Sequence, residues 1–283
     1  MTKSNGFIIN VALTGVIPVQ SMTPHVPITH DEIVADVIQC AALGVQMVHL
    51  HARDEMGAQT GDPSRYGDLI TALRGQPGCQ DLVVCVTTSG RAGGDDESRA
   101  RVLDLTGKAK PDMASLTLGS MNFAQSASVN SPKTIRFLAQ RMLDRGIKPE
   151  IEVFDVGMAH FVNILVREGL LRSPIYVNIL LGNMFGSQPD PIQLGAILSA
   201  LPPDSIVSLA GLGRFQLRAN GLAVALGLGI RTGIEDNIWF DRDRKVHATN
   251  AMLVKRMIAM AAIFERAPME RGEIRALLQL PPL

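Results

Sequence analysis

The chain has no surplus of charge of either sign: 27 Lys+Arg stand against 27 Asp+Glu in 283 residues. Binding a nucleic acid needs an excess of Lys/Arg to displace counterions from phosphates, so that class of partner is excluded. Cysteine is scarce. Cys40, Cys79 and Cys85 are too few and too scattered for a disulfide framework, and none forms a C-x-x-C pair, which points to a reducing, cytoplasmic setting. The start, Met1 to Asn10, carries one lysine and then a short apolar run with no h-region or cleavage site, so no export signal is expected. Long apolar runs are also missing. The longest nearly uncharged stretch, around Ala219 to Ile230, is glycine-interrupted and falls short of the roughly 20 residues that a membrane span needs. No Pro/Gly/Ser linker, fixed-period repeat or low-complexity tract divides the chain, and residues 1–283 are read as one domain.

What the chain does contain is apolar residues, 46% against 19% charged, enough to build a large core. Short β-branched runs alternate with segments of helical periodicity. Eight strands are predicted over Phe7–Leu13, Val45–His51, Leu82–Thr88, Met113–Leu118, Glu150–Phe154, Ile175–Leu181, Ser205–Leu209 and Gly229–Thr232. Helices are predicted over Asp31–Leu43 (N-capped by Thr29, with Glu32 three residues on), Tyr66–Arg74, Glu97–Lys108, Ser131–Arg145, His160–Glu168, Pro191–Ala200, Gln216–Leu226 and Thr249–Arg266, with an extra C-terminal helix over Met269–Leu278. Continuously apolar strands such as Ile175–Leu181 fit a parallel sheet covered on both faces. Eight β-α units with right-handed crossovers close on themselves, so the expected fold is α/β, a (β/α)8 TIM barrel. An open doubly wound sheet would want G-x-G-x-x-G after the first strand, and Thr14-Gly15-Val16-Ile17-Pro18 does not supply it.

Barrel active sites lie at the C-terminal strand ends. His49-Leu50-His51 closes the second strand, and because side chains alternate, both imidazoles point the same way and can reach one metal ion; two hydrogen-bonded histidines at a sheet edge are the plain alternative. Arg231-Thr232-Gly233-Ile234-Glu235-Asp236-Asn237 closes the eighth strand, which adjoins the first as the first adjoins the second. Glu235 can therefore join His49 and His51 across the mouth, completing a two-imidazole, one-carboxylate set with an open position, unless the Glu-Asp step is a solvated loop start. Mixed N/O ligation suits zinc better than magnesium. Asp236 with Arg231 beside it reads either as a general base held ionised or as a structural ion pair. Thr87-Thr88-Ser89-Gly90 and Ser115 offer hydroxyls and N–H groups for a substrate carboxylate, or are plain turn residues. Glu152, an inward carboxylate between Ile151 and Val153, is expected to support the metal ligands from behind. His25, His30, His160 and His247 fall outside the strand ends, Met252, Met257 and Met260 have helix-packing spacing, and Cys85 reads as an inert buried thiol.

These blocks, in order with Pro27-Ile28-Thr29, Gly119-Ser120-Met121-Asn122-Phe123, Pro149-Glu150-Ile151-Glu152-Val153 and Ala210-Gly211-Leu212-Gly213-Arg214, resemble the β-keto acid cleavage enzymes, a family typified by an enzyme acting on 3-keto-5-aminohexanoate. The resemblance runs from about Phe7 to the last helix. It implies a zinc-dependent TIM barrel, a homo-oligomer (dimer or tetramer), that converts a β-keto acid and acetyl-CoA into acetoacetate and a new acyl-CoA. Carried over by motif, His49, His51 and Glu235 match the zinc ligands, Asp236 the base and Arg231 its support. Thr87, Gly90 and Ser115 match positions that hold the substrate's carboxylate end, with Arg214 a further substrate-binding candidate. The position that carries a Glu facing the amino group in the typifying enzyme is Ile17 here. An ammonium buried there would lack a counter-charge, so a neutral or apolar tail is expected unless another loop carboxylate, Asp54 or Asp155, substitutes. Two rivals are a metal-dependent amidohydrolase, which would need further His or Lys ligands from the middle strands, and a non-catalytic barrel binding an acyl-CoA or organic acid.

Overall fold

The computed structural model describes residues 5–281 except 92 and 125; residues 1–4, part of the start read above for an export signal, lie outside it. In chain order the first half comprises β1 (Gly6–Phe7), β2 (Ile9–Ala12), α1 (His30–Ala42), β3 (Met47–Leu50), α2 (Pro63–Gly75), β4 (Val83–Val86), α3 (Asp96–Ala100), β5 (Met113–Thr117), β6 (Met121–Asn122) and β7 (Ala127–Ser128). The second half comprises α4 (Pro132–Arg145), β8 (Lys148–Val153), α5 (Val156–Arg167), β9 (Ile175–Leu181), α6 (Pro191–Ala200), β10 (Ser205–Gly211), α7 (Gln216–Ala225), β11 (Gly229–Thr232), α8 (Asn250–Ile263), β12 (Ala267–Pro268) and α9 (Arg271–Leu277).

The order β2-β3-β4-β5-β8-β9-β10-β11 closes into a parallel (β/α)8 barrel, with β11 returning to β2. Closure follows from the two faces of each strand. Ile9, Val11, Val48, Leu50, Val84, Val86, Ile151, Val177 and Ile179 are buried in the apolar layer that joins strands to helices. The alternate residues turn inward, and there Asn10, Glu150, Tyr176, Asn178 and Ser208 are hydrogen-bonded to one another across the barrel. Several helix starts are written locally. Thr29 and Glu32 form the expected capping box on α1, and Asp62, Ser131 and Asp190 cap α2, α4 and α6, each with proline in the first turn.

The extra C-terminal helix plugs the N-terminal end of the barrel. Ile274 and Leu278 pack into one cluster with Ile8, Met47, Val83, Met113 and Tyr176, and Arg275 donates to Asp112 at 2.9 Å, so this end is closed and chemistry is confined to the other. Three expectations need correction. The strand predicted over Phe7–Leu13 splits, because Phe7 pairs with Pro268 of β12 while Ile9 begins the barrel. The helix predicted over Glu97–Lys108 stops at Ala100 and continues as separate 3₁₀ turns, since Leu105 is extended and Gly107 is left-handed (φ 59°). The hairpin of β6 and β7 was not anticipated, and it lies beside the barrel mouth.

Candidate active site

A cavity of about 670 Å³, counted to its open rim, lies at the C-terminal strand ends and is lined by His49, His51, Glu152, Arg231, Glu235 and Asp236. Strand alternation brings His49 and His51 together: their Nε2 atoms are 3.2 Å apart. β11 neighbours β2 and β2 neighbours β3, so the loop after β11 delivers Glu235, whose Oε1 lies 3.6 Å from His51 Nε2 and 4.0 Å from His49 Nε2. Two glycines make this approach feasible. Gly15, at φ 66°, has the Glu235 side chain against it so closely that a Cβ would fall 2.5 Å from Glu235 Cγ, and a Cβ on Gly233 would lie 1.9 Å from the Ala12 carbonyl oxygen.

The donor set fits a zinc ion. Two ligands held at about 2.0–2.1 Å on a tetrahedral metal are separated by roughly 3.3 Å, close to the observed imidazole spacing. Glu235 Oε2 is buried with no partner among the described residues, as a carboxylate awaiting a cation would be. His49, Cys85 and Glu150 form a second compact donor group. That one lies deeper, with the Glu150 carboxylate already taken by His49, Asn178 and Cys85 and the Cys85 thiol pushed well above its ordinary pKa by burial and the Glu150 charge, so it offers no open position.

Behind the imidazoles sits a carboxylate, and it is Glu150 rather than Glu152. His49 Nδ1 donates to Glu150 Oε2 at 2.6 Å, the arrangement that fixes tautomer and ring orientation in metal-binding histidines. Burial would raise the Glu150 pKa, yet His49 and its hydrogen bond hold it down to about 2. Burial likewise opposes the His49 imidazolium, but Glu150 and Glu235 push its pKa up to about 9, whereas burial lowers that of His51. Glu152 makes no hydrogen bond to His49 or His51 among the described residues; it accepts from Thr117 Oγ1 at 2.6 Å and from Arg231 at 3.1 Å, and Arg231 in turn donates to Glu235 at 2.8 Å, so its link to the donor set runs through the carboxylate rather than the imidazoles. Both glutamates face inward from β8; the signal for Glu150 was present in the same alternation that marked Glu152.

Arg231 is the hub of the mouth. Its buried guanidinium meets Glu152 at 3.1 Å, Glu235 at 2.8 Å and Asp236 at 3.2 Å. Burial nevertheless outweighs Arg231 at Asp236, whose carboxyl is raised to about 6 with help from the Glu235 charge. Such a group is ionised at neutral pH and basic enough to take a proton.

The substrate-binding candidates divide. Thr87 and Ile17 line the cavity, and Ile17 is 49% exposed at its rim. The turn that carries Ile17 is held by Arg53, which donates to the carbonyls of Gly15 (2.7 Å) and Pro18 (2.9 Å). Ser115, Gly90 and Arg214 do not line it. The Ser115 hydroxyl accepts from Thr88 N, Gly90 abuts the Arg99 guanidinium, and Arg214 is exposed beside the Phe215 ring. Neither Asp54 nor Asp155 replaces the carboxylate missing at Ile17: Asp54 accepts from Met56 N and Ala58 N in a turn, and Asp155 caps α5. A cavity-lining cation, Arg91, was missed because it stands in a loop with no periodicity to place it.

The family model for beta-keto acid cleavage enzyme matches residues 7–280. The 3-keto-5-aminohexanoate cleavage enzyme of Fusobacterium nucleatum is 31% identical over 275 residues, covering 96% of this chain and 97% of that protein. The 3-oxoadipate:acetyl-CoA acetyltransferase of Cupriavidus necator is 33% identical over 280 residues, covering 98% and 95%. Among solved structures, the binary complex of ObcA with oxaloacetate superposes with a TM-score of 0.75 at 18% identity, over 92% of this chain and 68% of that one, a likeness of fold. Sequence identity of this order along almost the whole chain, on a barrel whose mouth assembles the motif residues of strands two and eight, makes this protein a member of the β-keto acid cleavage enzyme family.

Proposed function

We propose that this cavity cleaves a β-keto acid at the expense of acetyl-CoA, giving acetoacetate and the acyl-CoA of the remaining carbons. The observation that carries the reading is the convergence of His49, His51 and Glu235 beside Asp236 in one open cavity. A zinc ion held by those three ligands would act as a Lewis acid on the substrate ketone. Asp236 takes the C2 proton, and the resulting carbanion attacks the acetyl thioester carbonyl, forming the new C–C bond and releasing the CoA thiolate. The thiolate adds to the former ketone carbon, the C2–C3 bond breaks, and Asp236 returns its proton to the departing acetoacetate carbanion. Arg231 orients Asp236 and Glu235 through this cycle, and Glu150 holds the His49 ring. Thr87 is the one carried-over carboxylate-end position that faces the cavity.

The three cavity carboxylates are all engaged by Arg231 and the rim residue is Ile17, which supports a substrate tail that is not a cation; a neutral or apolar tail meets Ile17 and Val16 without penalty. The amidohydrolase alternative loses support, since toward the mouth β5, β8 and β9 bring Thr117, Glu150, Glu152 and Asn178 inward, while Lys148, which shares that face of β8, stands at the opposite, N-terminal end of the strand. A merely binding barrel would have no use for Asp236 raised toward neutrality beside the donor set. The reading also carries one domain over residues 1–283, a dimer or tetramer, and a cytoplasmic location that suits three free buried cysteines; light scattering tests the assembly. No helix among the described residues is long and apolar enough to cross a membrane. The decisive assay is a screen of β-keto acids with acetyl-CoA, following acetoacetate, alongside elemental analysis. No acetoacetate from any acid, or full metal content in a His49→Ala/His51→Ala double variant, refutes the reading.

A further inference from the structure

We propose that Arg91 is the carboxylate-binding residue of the cavity, an assignment that deepens the β-keto acid reading and rests on it. Arg91 follows the Thr87–Gly90 turn, and its guanidinium carbon lies over the Phe123 ring, 4.0 Å from the centroid. Among the described residues its side chain has no hydrogen bond and no ion pair. The other arginines nearby are all committed: Arg231 to three carboxylates, Arg53 to carbonyl oxygens, and Arg99 to the Thr88 carbonyl and Asn130. A cation–π contact consumes none of the guanidinium's N–H donors as hydrogen bonds, so its planar fork remains for a bidentate acceptor.

Charge bookkeeping over the cavity points the same way. Glu152, Glu235 and Asp236 face the single guanidinium of Arg231, and a divalent ion on His49, His51 and Glu235 would balance that excess. Glu150, ionised as well, is held by His49, Asn178 and Cys85 below the mouth, so among the described residues no carboxylate is bonded to Arg91. Partial burial lowers its pKa, and the distant Glu235 and Glu152 charges only partly offset this, so an incoming anion relieves a desolvated cation. The positions expected to hold the substrate's carboxylate supply hydroxyl and backbone N–H groups and no cation of their own. Ser115 is bonded to Thr88, and Gly90 lies against Arg99. The carboxylate can be the C1 group that every β-keto acid carries or a second one on the tail; the chemistry at Arg91 is the same, and the two ligands below separate them.

The test is calorimetric binding of acetoacetate and of 3-oxoadipate to the metal-loaded protein, at two ionic strengths, in wild type, Arg91→Met and Arg91→Lys, with kcat/KM for 3-oxoadipate and a neutral-tailed β-keto acid. Arg91→Met keeps an aliphatic stem over Phe123 and removes the charge, while Arg91→Lys keeps the charge without the fork. Unchanged metal content and Tm certify the fold, with Arg91→Gln as the substitute should Arg91→Met be unstable. We expect Arg91→Met to weaken binding about 10–100-fold, as for loss of a charge-assisted hydrogen-bond pair, and Arg91→Lys to recover part of it. Loss for both acids assigns the C1 carboxylate, and loss for 3-oxoadipate alone assigns the tail. Equal affinity of wild type and Arg91→Met for both acids, or no binding of either by wild type, overturns the proposal. Arg91-dependent binding without acetoacetate formation from acetyl-CoA would instead sink the cleavage reading and leave Arg91 as a carboxylate receptor.

Discussion

Gly15→Ala should disable the candidate metal site from outside it. The added Cβ would stand 2.5 Å from Cγ, 2.9 Å from Cβ and 3.1 Å from Cα of Glu235, so Glu235 must retreat by about 1 Å to reach ordinary carbon–carbon contact. Its backbone cannot yield freely, because Glu235 N donates to the Ala12 carbonyl at 3.2 Å. Metal ligands tolerate displacements of only about 0.2 Å, so zinc affinity should fall at least 10–100-fold, as it does when a supporting hydrogen bond is removed. The left-handed backbone adds about 1–2 kcal/mol of strain and the overpacking about 1–3, which together should lower Tm by roughly 4–8 °C for a chain of this size. Gly169→Ala is the control: Gly169 is also left-handed (φ 76°) with open space around it, so it should show the strain alone and keep its metal. Zinc competition against a chelator, with melting curves on both variants, reads the two effects apart. If Gly15→Ala binds zinc as wild type does, the Gly15–Glu235 contact does not set the ligand's position and the argument fails.

Glu150→Gln should keep the fold and lower zinc affinity about 10–100-fold, since an amide cannot hold His49 Nδ1–H as a carboxylate does; unaltered affinity in chelator competition would remove Glu150 from the site. Asp236→Asn should retain full metal content and lose about 10²–10⁴-fold in turnover, and wild-type rates would move the base elsewhere. Asp36, half-buried on α1 and bonded to Asn250, has its carboxyl raised by burial to about 6. A group that binds its proton more tightly when folded loses stability as pH climbs from its unfolded value, near 3.8, through about 6. Asp36→Asn should therefore be more stable than wild type by about 1–3 kcal/mol at pH 7.5 and no more stable near pH 4; a gain of equal size at both values would rule out the carboxyl's ionisation as its source.

The amino-acid sequence by itself settled what depends on local periodicity and on strand order. The count of apolar runs gave eight barrel strands, alternation turned His49 and His51 to one side, and adjacency of the first, second and eighth strands brought Glu235 to them. Tertiary structure alone decided matters set by height and distance across the barrel. Glu150 and Glu152 obey the same alternation, but they differ by two residues of rise along β8, and only the stagger of the closed barrel puts the lower one against His49 on β3 and the upper one against Arg231 on β11. Ser115 faces inward as its strand requires, and only the fold shows that its hydroxyl oxygen also accepts from the Thr88 backbone, which ties the fourth barrel strand to the turn after the third. Arg91 was illegible for the opposite reason: loops carry no period, and its partner Phe123 belongs to a connection 32 positions on, so nothing short of the folded mouth brings cation and ring together.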